Sequence, residues 1–140
     1  MEEEFLKYLV EKGAKINATD QRKNSALMTA FETNKKHEII EKLISLGIDL
    51  NQKDKNGQTT LIICSYKGQL DSVRLLVENY GVPVDQCGSL GQTPLFLACQ
   101  LGHEELARYL LNNGANLEKR AYLEDKTPLM IACEHSKLNF

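Results

Sequence analysis

A hydroxyl-bearing residue recurs at intervals of 34 residues, at Ser25, Thr59, Thr93 and Thr127, and this period constrains the fold more than any other feature. Its surroundings repeat with it. Gly57-Gln58-Thr59-Thr60-Leu61 matches Gly91-Gln92-Thr93-Pro94-Leu95, Asp125-Lys126-Thr127-Pro128-Leu129 resembles both, and Lys23-Asn24-Ser25-Ala26-Leu27 is a weaker copy. A period of this size means stacked supersecondary units that bury their apolar faces against neighbours.

Each unit predicts two short helices. The first opens at the hydroxyl, whose oxygen can accept a backbone N–H of the first turn, and Pro94 or Pro128 then sits where a missing N–H is harmless. The second carries apolar residues at helical spacing, as in Leu106, Tyr109 and Leu110, or Ile39, Ile40, Leu43 and Ile44, or Val73, Leu76 and Val77. Glycine closes it each time, at Gly13, Gly47, Gly81 and Gly114, with intervals of 34, 34 and 33. Small residues such as Ala98-Cys99, Ala132-Cys133 and Cys64-Ser65 occupy the first helices where neighbours must approach closely.

These motifs resemble the ankyrin repeat family, whose signature is T-P-L-H-x-A with a period of 33. The best copies are Thr93-Pro94-Leu95-Phe96-Leu97-Ala98 and Thr127-Pro128-Leu129-Met130-Ile131-Ala132, supported by Gly102-His103 and Gly114-Ala115-Asn116. The resemblance implies an all-α solenoid of helix-turn-helix repeats joined by short β-turn or hairpin loops, a right-angled stack with a concave face. It extends over 1–140 as one domain: a half repeat at 1–19, repeats at about 20–53, 54–87 and 88–121, and a half repeat at 122–140. The chain thus reads as starting within a unit and closing after a first helix, and a natural small protein with modest caps and an excised piece of a longer array are the two expectations.

Departures from the family pattern have definite places. Extra residues fall near Lys35 and Lys36, at Tyr80 and at Ala121, where loops are expected to absorb them. Lys23 and Asp125 replace the turn glycine, Ala26 and Thr60 the proline, and Met28, Ile62, Phe96 and Met130 the signature histidine.

Composition narrows the function. The net charge is −2 with both signs interspersed, so no phosphate-attracting face is expected and nucleic acid is a poor partner. No apolar run approaches the roughly 20 residues of a membrane span, and Met1-Glu2-Glu3-Glu4 has the wrong charge for an export signal. Cys64, Cys87, Cys99 and Cys133 form no CxxC pair. They read as reduced thiols in a cytoplasmic or nuclear compartment. Cys99 and Cys133 are expected to be buried and inert, and Cys87, in a hairpin region, to be the thiol open to modification.

No catalytic, cofactor or metal site is expected. Nucleophile elbow, P-loop, dinucleotide fingerprint and HExxH are absent from the sequence. Cys99 and Cys133, with His103 or His135 nearby, lack the closely paired spacing of structural zinc ligands. His103 reads as the family's inter-helix hydrogen bonder.

The resemblance implies a non-catalytic interaction module, expected as a monomer, that holds another protein or an extended peptide. The contact surface it implies comprises turn tips and first helices: Arg22 and Asn24; Lys55, Asn56, Gln58, Tyr66 and Lys67; Leu90, Gln92, Gln100 and Leu101; and Leu123, Glu124 and His135. Tyr66, Leu90, Leu101 and Leu123 would be its apolar anchors. Lys55, Lys67 and Lys126 would suit an acidic segment. A targeting or regulatory segment of a larger enzyme or channel, and a structural spacer, are the alternative expectations.

Overall fold

The computed structural model describes residues 2–33 and 37–135 and confirms an all-α repeat architecture. The helices are α1 (Glu2–Glu11), α2 (Ala26–Glu32), α3 (His37–Ser45), α4 (Thr60–Tyr66), α5 (Leu70–Arg74, continuing as a π-helical turn Leu75–Asn79), α6 (Pro94–Leu101), α7 (Glu104–Asn112) and α8 (Pro128–His135). Among the described residues no strand forms, and an isolated antiparallel bridge joins Thr19 to Ser25. No helix among them is long and apolar enough to cross a membrane.

Helix starts follow local chemistry. The Ser25 hydroxyl accepts the Met28 N–H at 3.2 Å, Thr93 accepts that of Phe96 at 3.1 Å, and Thr127 that of Met130 at 3.3 Å. Each bond satisfies a donor that the first turn would otherwise leave unpaired. Glu2, Glu3 and Glu4 occupy the first turn of α1, where the helix dipole favours negative charge.

The chain divides into two compact units, Met1–Thr60 and Leu61–Phe140. In the first, α3 packs on both α1 and α2. Its buried apolar residues are Leu27, Met28, Ala30, Phe31, Ile40, Leu43 and Ile48. In the second, α6 packs on α7 and on α8. Phe96, Ala121 and Ile131 form a buried cluster there, with Cys99 packed against it.

The extra residues behave differently from one another. The N–H following the closing glycine bonds five residues back at Ala14 to Leu9, Ile48 to Leu43 and Ala115 to Leu110. At Val82 it reaches six back, to the Leu76 carbonyl at 3.1 Å. Contrary to the expected loop at Tyr80, the insertion is therefore taken up inside the helix as the π-helical turn. A widened turn is how a helix accommodates one added residue, and it keeps Leu75 and Leu76 buried. Ala121 does lie in a loop, but its side chain is drawn into the Phe96–Ile131 cluster. The insertion near Lys35 and Lys36 lies outside the described residues.

At the turn tips, Lys23 and Asp125 keep the left-handed backbone of the glycines they replace, with φ of 61° and 51° against 74° at both Gly57 and Gly91. The turn geometry is thus retained at a steric cost borne by two side-chain-bearing residues.

Candidate functional site

In the first unit the turn tips are built by two aspartates. Asp20 Oδ1 accepts the N–H groups of Arg22 and Asn24, both at 2.9 Å. Asp54 Oδ1 accepts those of Asn56 and Gln58 at the same distance. The Lys55 N–H donates to the Arg22 carbonyl at 2.8 Å, tying one tip to the next through the main chain. Sequence reasoning missed both aspartates, although their 34-residue separation was a readable signal of a shared turn role.

Between these tips and α2 lies an open groove of about 250 Å³, lined by Arg22, Asn24, Glu32, Asp54, Lys55 and Asn56. Four of the five contact residues expected in this unit, Arg22, Asn24, Lys55 and Asn56, thus come together. Gln58 is half-buried, and its backbone N–H and C=O are both engaged by Asp54. The lining mixes two cations, two carboxylates and two amides, so the groove offers both hydrogen-bond donors and acceptors.

The second unit presents a different surface. Tyr66, Leu90, Leu101 and Leu123 are all exposed, Leu123 most of all at 79%. Lys67 and Glu124 are exposed beside Tyr66 and Leu123 in sequence and His135 is exposed at the end of α8, whereas Gln92 and Gln100 are half-buried. Two links connect parts of this surface. The Tyr122 N–H donates to the Leu90 carbonyl at 3.0 Å, setting Leu90 next to the Tyr122-Leu123 pair. His103 Nε2 lies 3.1 Å from the Tyr66 carbonyl oxygen, the inter-helix bond expected of it. Since a carbonyl only accepts, the imidazole donates from Nε2.

Tyr122 was missed as a site residue. Its ring lies over Gly91, where an added Cβ would stand 2.5 Å from it, and its hydroxyl is 4.0 Å from Cys87 Sγ. The Lys119 ammonium is 6.0 Å from the ring centroid. The signal was its register, 34 residues beyond Gly88 and 68 beyond Asp54, where an aromatic replaces a small turn residue.

Charges near the second unit's last helix are partly neutralised. Lys126 contacts Glu134 and lies 3.7 Å from Glu124. The hydrogen bond to Glu134, and then the acidic charges, raise the lysine above its ordinary range, and the same bond holds Glu134 below its own. Lys126 is thus already supplied with carboxylates.

On the second helices, Tyr109 Oη donates to Glu78 Oε1 at 2.9 Å, and the Arg74 guanidinium is 5.6 Å from the Tyr109 ring. Burial, and then the bond to Glu78, push the phenol up to about 12. Its surroundings account for it as a structural tie.

The thiols separate by environment. Burial pushes Cys64 up to about 12 and raises Cys99. Cys133, expected to be buried, is exposed instead. It follows Ala132 on α8, where the matching Cys99 is half-buried within its cluster. Cys87 is half-buried.

A family model described as ankyrin repeats (3 copies) matches residues 1–86 and again 80–140. No curated protein matches the chain.

Proposed function

Because this chain belongs to the ankyrin repeat family, whose members are generally protein-interaction modules, we propose that it holds a partner protein or extended peptide on its turn tips and first helices. The reading is non-catalytic. The observation that carries it is the exposure of Tyr66, Leu90, Leu101 and Leu123, large apolar groups at turn and helix ends whose neighbours Leu95, Phe96 and Leu97 are buried. Apolar anchors within a polar surround are the usual centres of binding energy. The polar groove around Arg22 and Lys55 supports a second, charge-selective contact.

Selection from a displayed random-peptide library against the immobilised chain tests this. Leu90→Glu with Leu101→Glu is expected to lose the enriched peptides while circular dichroism is unchanged. Arg22→Glu with Lys55→Glu is expected to keep apolar peptides and lose acidic ones. Peptides retained equally by both variants would place the contact elsewhere.

A further inference from the structure

The polar groove of the first unit holds a charge imbalance that its overall lining conceals. Arg74, Arg108 and Arg120 each pair with a carboxylate, at 3.6, 2.7 and 3.8 Å. Arg22, the remaining arginine of the sequence, lines the groove beside Glu32 and Asp54. Among the described residues, however, no carboxylate lies within 4.0 Å of its guanidinium, and the same holds for the Lys55 ammonium.

Their main chains are engaged instead. The Arg22 N–H donates to Asp20 Oδ1, and the Arg22 carbonyl accepts the Lys55 N–H. The roots of the two cationic side chains are thus spaced by a backbone bond between neighbouring tips, which lowers the ordering that binding must otherwise supply. Asp54 is committed to its own turn: its Oδ1 accepts the N–H groups of Asn56 and Gln58, its N–H donates to the Gln58 carbonyl, and its carbonyl accepts the Gly57 N–H. The rest of the described lining sets Arg22 and Lys55 against Glu32, an excess of one positive charge, with the amides of Asn24 and Asn56 as further donors.

We propose that this groove takes one side-chain carboxylate, from an aspartate or glutamate of the partner, bound by the paired N–H groups of the Arg22 guanidinium with Lys55 supplying the second charge. This rests on the partner-binding reading above and names the residue of the partner that enters here. A guanidinium presents two parallel donors that match the two oxygens of a carboxylate. One such group carries one negative charge and cancels the excess. A phosphoserine carries about −1.5 to −2 near neutral pH, more than the excess, and its surplus lies against Glu32. The groove therefore selects a carboxylate over a phosphate.

Peptides selected on the unaltered chain, remade with amidated C-termini, test it by fluorescence anisotropy at low ionic strength, where exposed charges are least screened. One acidic position should stand out, its change to glutamine weakening binding about ten-fold, the scale of a hydrogen bond to a charged group. On a chain carrying Arg22→Gln and Lys55→Gln, which keeps the main-chain tie, the same change should cost less than about two-fold. Phosphoserine at that position should bind less tightly than glutamate, and Glu32→Gln should reverse that order. Circular dichroism checks that each variant is folded. Independently of any peptide, the Arg22 Nε–H signal of isotope-labelled chain should shift with N-acetylglutamic acid amide and not with N-acetylglutamine amide. Selected peptides with no such acidic position, equal losses on both chains, tighter binding of phosphoserine to the unaltered chain, or loss of binding on amidation each overturn the proposal while leaving partner binding on the tips intact. A selection that returns no peptide overturns that broader reading instead, and an Arg22 signal indifferent to N-acetylglutamic acid amide overturns this one.

Discussion

The imidazole of His103 is seated on Gly68: a Cβ added to that glycine would stand 2.7 Å from ring atoms Nδ1 and Cε1. The same ring donates to the Tyr66 carbonyl, so one side chain fixes the end of α4 by both packing and hydrogen bonding. His103→Ala is expected to cost about 1 kcal/mol, the usual net value of such a bond. Gly68→Ala should cost more, about 2 kcal/mol, because it adds the clash to a φ of +69°. In the double variant the steric part disappears, and urea denaturation should show Gly68→Ala to be less damaging in the His103→Ala background.

Lys23 offers the opposite sign. It is exposed and holds φ at 61°, a conformation that costs an L-residue about 1–2 kcal/mol. Lys23→Gly removes that strain, partly offset by the greater freedom of glycine in the unfolded chain. A net gain of about 0.5–1 kcal/mol in unfolding free energy, read as a higher urea midpoint, is expected. A loss there would mean that the lysine side chain contributes more than its backbone costs.

The π-helical turn makes a prediction about length. Deleting Asn79 leaves the segment through Leu76 in register and shortens Gly68 to Gly81 to the spacing seen from Gly102 to Gly114. The variant is expected to fold with unchanged helical content, and amide exchange should show Val82 protected by an ordinary five-residue closure. Deleting Leu75 instead removes a buried residue and should destabilise by about 2–4 kcal/mol.

Thiol chemistry should follow burial. Under native conditions alkylation read by mass spectrometry is expected to modify Cys133 first and Cys64 last, with Cys64 protected until the chain unfolds. Alkali probes the same site and Tyr109. Their folded values, about 12 each, lie above their ordinary 9.0 and 10.0. Between these limits the unfolded chain releases protons that the folded chain retains, so stability is full below about pH 9 and falls as pH rises toward 12. Tyr109→Phe should flatten the upper part of that decline.

What could be read from sequence is what depends on near neighbours along the chain. Ser25, Thr93 and Thr127 announce helix starts because a cap is satisfied within three residues. The period then carries turn positions from one repeat to the next, which is why Arg22, Asn24, Lys55 and Asn56 were found before their groove was. The fate of the insertions was hidden, because it depends on which residues must remain buried. Leu75 and Leu76 hold their register, and the helix widens beyond them. Cys133 was misplaced for a related reason: the rule that buries its counterparts needs covering elements, and α8 leaves it exposed.

The link from the Lys55 N–H to the Arg22 carbonyl, and that from Tyr122 to Leu90 in the other unit, run through main-chain atoms alone. The pitch between adjacent fingertips is therefore written in the backbone, while their chemistry is written in the side chains. A library randomised at Arg22 and Lys55, or at Leu90 and Leu123, would search new recognition surfaces on an unaltered ruler. Partner choice in this chain can drift without the scaffold having to be solved again.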